Sequence, residues 1–118
     1  MNIKFKRIVT WILQVLMGLE FLIAGQAKFT ATEVWAKQFS NWGFPDHFYL
    51  LIGALEVVGG ILIFIPKFAA KAALGLGAIM LGATITHAVH GEWDRIIFTL
   101  IIAGILGGVY MLRKEDKP

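Results

Sequence analysis

Four apolar runs, at 8–27, 48–65, 69–89 and 96–112, take up most of this 118-residue chain. At 1.5 Å per residue in a helix, each comes close to the roughly 30 Å hydrocarbon core of a bilayer. The second and fourth fall slightly short and would complete the crossing with interfacial residues. Backbone groups in lipid must be paired within their own segment, so such runs are helices. The chain is 58% hydrophobic and only 16% charged, with a mean hydropathy of +0.72. Soluble domains carry about 25% charged residues, and one this small could not hide so much apolar surface. The expected fold is therefore all-α: one domain over 1–118, built as an antiparallel bundle of four transmembrane helices.

Basic residues set the expected orientation. Lys4, Lys6, Arg7, Lys67, Lys71, Arg113, Lys114 and Lys117 would share one side, against Lys28, Lys37 and Arg95 on the other. By the positive-inside rule both termini face the cytoplasm, which predicts a multi-pass protein of the plasma (inner) membrane. Trp11 and Tyr110 would mark the inner interface, and Trp35, Trp42, Tyr49 and Trp93 the outer one. The net charge of +3 is accounted for by this flanking pattern, so no nucleic-acid partner is expected. Run one also has the basic start and the Gly25/Ala27 spacing of a signal peptide, but Gln14 and Glu20 inside it predict a retained helix. With no cysteine, the chain has no thiol redox chemistry of its own.

The one long connection, 28–47, predicts a short amphipathic helix at the outer surface or dipping in as a lid. Thr32 would cap it, Val34, Trp35, Phe39 and Trp42 would share its apolar face, and Gly43 and Pro45 in "WGFP" would end it.

The second run carries Glu56 near its middle, in "GALEVVGG". A charge there costs about 2.5–3.5 kcal/mol on insertion scales, so such groups face the bundle interior and pair. Glu20 falls at a similar depth on the preceding run. Lys28 lies at its outer mouth, and His87 and His90 lie near the outer end of the third. The expected polar cluster is Glu56, Lys28, His87, Glu20 and His90. Two carboxyls this close would not both ionise without Lys28 or a histidine. A metal held by Glu20, Glu56 and His87 is chemically conceivable, but no HxxxH or ExxH spacing occurs on any run, so no metal is assigned. Gly53, Glu56 and Gly60 share a face that would admit a close helix or a ligand. The pairs Ala103/Gly107 and Gly104/Gly108 predict tight helix packing, or contact with a second copy.

The stretches "GLEFLIAGQAKF", "WGFP", "GALEVVGGILIFIP" and "MLGATITHAVHGE", in this order, resemble the DoxX-like family of small four-helix membrane proteins. The resemblance implies functional interest in Lys28, Glu56 and His87. It also implies relatives that serve as membrane subunits of sulfur- or quinone-linked oxidoreductase systems, or as partners of redox enzymes. Three roles follow as expectations: an accessory or ligand-binding subunit, with a quinone as the cofactor to test; a quinone-linked oxidoreductase subunit using the same residues as acids and bases; or an assembly factor whose polar cluster only sets packing. No haem, flavin or nucleotide motif is visible.

Overall fold

A computed structural model describes residues 2–116. They form five helices: α1 (Ile3–Thr30), α2 (Thr32–Asn41), α3 (Phe48–Leu62), α4 (Pro66–Val89) and α5 (Trp93–Arg113). The helices α1, α4 and α5 are each long and apolar enough to cross a membrane. At 15 residues, α3 is equally apolar but rises only about 22 Å. The bundle is 47 Å long, close to the roughly 40–45 Å of a bilayer with its headgroups.

Local chemistry sets the boundaries. Asn2 caps α1 by accepting the Phe5 N–H at 2.8 Å, so the helix takes in Lys4, Lys6 and Arg7 and begins five residues ahead of the apolar run. At its other end a single kinked residue, Ala31, separates α1 from α2. Thr32 is therefore the first residue of α2, which has no side-chain cap, and the expected Thr32 cap is not made. α3 stops at Leu62, three residues short of the apolar run. Ile65 is extended, as a residue before proline must be, and Pro66 opens α4 at its first turn, where a missing N–H costs nothing.

Helix α1 packs on α3 and α4 on α5, and the two pairs join through α3/α4 and α1/α5. The first pair is in backbone contact: a Cβ on Gly25 would stand 2.7 Å from the Gly53 carbonyl, and one on Gly60 3.2 Å from the Gly18 carbonyl. The face of α3 that carries Gly53, Glu56 and Gly60 thus meets a helix. The α5 glycines behave differently. Added Cβ atoms at Gly104 and Gly107 would meet nothing within 4 Å, and one at Gly108 only Leu13 at 3.7 Å. The packing expected of them is absent, because α5 meets α4 through Ile102, Leu106 and Val109 instead.

The tight core lies toward the end that carries the termini. There Met17, Phe21, Ile63, Ala69, Ala73, Leu76 and Leu106 close around one another. Gln14, fully buried, stitches that end together. Its amide donates to the Ile63 carbonyl at 2.8 Å and accepts from Arg113 Nε at 2.8 Å. Arg113 also reaches Asp116 at 3.1 Å and lies 5.3 Å from the centre of the Trp11 ring. At the opposite end the helices part, and α2 lies across the opening.

Candidate functional site

The opening leads into a cavity of about 620 Å³ between all five helices, within the 300–1,000 Å³ usual for small-molecule sites. Its lid is α2. Trp35, Phe39 and Trp42 recur along one face of that helix, and Phe39, 7% exposed, sits in a cluster of rings from Trp35, Trp42, Phe44, Phe48 and Tyr49 at 5.3–6.2 Å. Val34, expected on that face, instead stands 64% exposed at the cavity's rim, because helical spacing turns it a quarter of a turn away from Trp35.

Two polar groups occupy separate parts of the wall. In the first, Lys28 Nζ lies 2.7 Å from Glu56 Oε1, and both side chains are at least 95% buried. Lys28 is in the last turn of α1, where a cation is favoured by the helix dipole. Helical side chains lean toward their own N-terminus. The ammonium accordingly points back into the bundle, donating to the Ala24 carbonyl at 3.3 Å and resting 4.2 Å from the centre of the Trp35 ring. The contact with Glu56 is close in distance but oblique, so Oε1 has no well-directed hydrogen bond. Burying two charges is expensive, and a pair offsets the cost only with good geometry and further hydrogen bonds. This pair has room beside it for another partner.

The second group is His87, Glu92 and Trp42. His87, buried at 7% exposure, places Nδ1 2.7 Å from Glu92 Oε1, while Trp42 Nε1 donates to the same carboxylate at 3.2 and 3.3 Å. The Trp42 and His87 rings meet edge to face, 5.4 Å apart. The hydrogen bond from His87 holds the Glu92 carboxyl below its ordinary value of 4.5; the Trp42 N–H and nearby Arg95 act the same way, and partial burial opposes them. Glu92 is brought there by the end of α4. Gly91 turns left-handed at φ 70°, the Glu92 N–H bonds back to the His87 carbonyl at 2.8 Å and the Gly91 N–H to Ala88 at 3.3 Å. This is the double hydrogen-bond pattern of a glycine-terminated helix.

The structure thus brings Lys28 and Glu56 into contact and places His87 and Glu20 on the same cavity. Glu20 is half-buried and forms no ion pair among the described residues. His90 is exposed and bonds to the Thr86 carbonyl at 2.8 Å, outside the cavity. Among the described residues no three His, Asp or Glu side chains gather as metal ligands. Glu92 and Trp42 were not among the expected site residues. The signal for Glu92 was the glycine after His90, which folds a carboxylate back onto the preceding helix turn.

Fold and site together define a small helical-bundle membrane protein with a buried ion pair on the wall of a lidded cavity. The chain belongs to the DoxX-like family, whose model matches residues 12–109. A protein of Bacillus subtilis (strain 168) named "Putative oxidoreductase CatD" is 31% identical over 86 residues, covering 73% of this chain. The match takes in 63% of that relative's length. No solved structure matches at a significant level. Family and apolar helices together fit a membrane protein.

Proposed function

We propose that the chain crosses the plasma (inner) membrane four times with both termini in the cytoplasm. Its cavity, open at the outer side, binds a small molecule with a quinone-like head group for a sulfur- or quinone-linked redox system. In this reading the chain is an accessory or ligand-binding subunit, and its partner is a redox enzyme. Lys28 and Glu56 hold the ligand, and His87 with Glu92 carries protons to and from it. The observation that supports this most strongly is the ion pair itself. Two buried charges with an oblique contact, beside about 620 Å³ of cavity, are a poor way to fix packing and a good way to grip a polar ligand. The relative named as an oxidoreductase supports the redox setting. A quinone-linked oxidoreductase subunit is the second reading. It is favoured by the His87–Glu92 contact at 2.7 Å, a geometry suited to acid–base work.

The test is extraction of protein purified from native membranes, followed by mass spectrometry of the small molecules released. Wild type should release a lipophilic redox molecule in near-stoichiometric amount, and Glu56→Gln should release none. Equal recovery from both, or none from wild type, contradicts the reading. Because the chain has no cysteine, topology can be read with a single one placed at Lys114. Labelling by an impermeant reagent in intact cells would reverse the orientation.

A further inference from the structure

We infer that the cavity is loaded sideways from the bilayer, through the cleft between α3 and α4, and that its ligand is an amphiphile. The polar head lodges at Lys28–Glu56 and an apolar chain trails out between the two helices. This rests on the ligand-binding reading above and adds the ligand's class and its route.

A second cavity of about 370 Å³ lies under the lid between α3 and α4 and shares Phe39, Trp42, Ile52, Ile79, Ala83 and His87 with the first, so the two spaces adjoin across these side chains. Apart from Thr86, its remaining wall is apolar. Phe44 and Phe48 stack at 5.0 Å and form the sill at the α2 end. On α4, Ala78, Gly82 and Thr86 stand one helical turn apart on one face. Ala78 and Gly82 are exposed, and a Cβ on Gly82 would meet nothing within 4 Å. Toward the other end the same two helices touch, where a Cβ on Gly59 would come within 2.6 Å of Leu76, and the groove of about 310 Å³ beside that contact is lined by no residue of the lid. The faces on either side of the cleft expose Leu55, Val58, Leu81 and Ile85, a surface suited to lipid. The cleft therefore opens into the hydrocarbon layer.

The wall of the larger cavity contributed by α1, α2 and α5 has other chemistry, since it includes Glu20, Gln38, Asp94 and Arg95. Two adjoining spaces thus differ in chemistry, one lined by charged groups and the buried ion pair, the other greasy, and in this inference the chain passes from one to the other between the side chains they share. A small water-soluble ligand would have no use for the second chamber. A molecule with an oxygen-bearing ring and a hydrocarbon chain fits both. Lys28 donates to a ring oxygen, and Glu56, which has no well-directed hydrogen bond on Oε1, accepts from a ring hydroxyl. The chain lies along Phe48 and Gly82.

The experiment uses the full chain in lipid nanodiscs, with Trp11 and Trp93 changed to Phe so that Trp35 and Trp42 report by fluorescence quenching. Two probes are compared: a benzoquinone with a decyl chain and the same ring without it. Gly82→Leu fills the cleft at an exposed helical site with open space around it. It also replaces a poor helix former, so the fold should hold, and an unchanged melting profile checks this. Ala78→Leu, one turn away, is a second plug. Both plugs should weaken the decyl probe about tenfold, the equivalent of losing two buried methylenes, and leave the chainless probe unchanged. If the plugs affect neither probe while Glu56→Gln weakens both, the lateral route is wrong and the binding site stands. Should neither probe bind wild type saturably, the binding reading falls and this inference with it.

Discussion

Two of the buried polar sites, one toward each end of the bundle, are built on opposite principles. At the end with the termini, Gln14 uses its amide nitrogen on the Ile63 carbonyl and its oxygen on Arg113, and Arg113 has Asp116 and the Trp11 ring besides. The surroundings are a packed apolar core. At the α2 end, Lys28 and Glu56 meet at 2.7 Å but obliquely, beside open space. A satisfied network in a packed core fixes one structure, whereas a partly satisfied one leaves capacity for something else. The contrast gives Gln14 and Arg113 the geometry of a stabilising network, and in the proposed reading leaves Lys28 and Glu56 to bind.

The largest expected effect would break this division most directly. Lys28→Met leaves a buried carboxylate without its cation and should cost about 3–5 kcal/mol. Adding Glu56→Leu removes the stranded charge, and apolar replacements for a buried pair are often neutral or stabilising. The double variant should therefore recover wild-type stability in reversible unfolding from mixed micelles while losing the ligand. A double variant as unstable as Lys28→Met alone would make the site at the α2 end structural too.

Gln14→Leu comes next. It strands the Ile63 carbonyl and the Arg113 Nε–H, and should cost about 1–3 kcal/mol in the same assay. Ligand affinity should not change, since Gln14 lies outside the cavity lining. A loss of affinity at unchanged stability would invert the comparison.

Most of this architecture could be read in advance, and the exceptions are instructive. The apolar runs located α1, α3, α4 and α5, because hydropathy over tens of residues survives any detail of packing. Helix ends moved by several residues where local chemistry took over, at Asn2 and at Ile65–Pro66. Glu56 was legible as a charge in an apolar run. Depth set it level with Glu20 in an expected cluster that also held Lys28 and His87, and of these its close contact is Lys28. The deciding term was side-chain direction: a lysine in the last turn of α1 leans back into the bundle by one turn, as its bond to Ala24 shows. Glu92 escaped notice because it sits just past a helix end, where residues read as loop. Gly104 and Gly107 make no close helix contact within the chain, since small residues permit close packing but do not require it.

The smallest expected effect concerns the contact that holds the lid, which belongs to neither buried site. Glu92 ties Trp42 of the lid to His87 of α4, and its carboxyl is held below the ordinary value of 4.5, chiefly by the hydrogen bond from His87. A carboxyl with a lowered folded-state value contributes its stabilisation fully above the unfolded value, and loses it as the pH falls through the folded one. Between about pH 6 and pH 3, wild type should therefore lose stability relative to Glu92→Gln, with the loss setting in as the pH approaches 4.5 and growing below it. The glutamate is partly exposed, at 26%, so solvent screens the contact and the difference should be modest. Trp42→Phe removes one donor and should let the Glu92 carboxyl rise part of the way back toward 4.5, which carbon NMR of the labelled carboxyl can follow. A constant gap between wild type and Glu92→Gln across this range would show that Glu92 does not secure the lid. The cavity would then owe its cover to the Phe39 ring cluster alone.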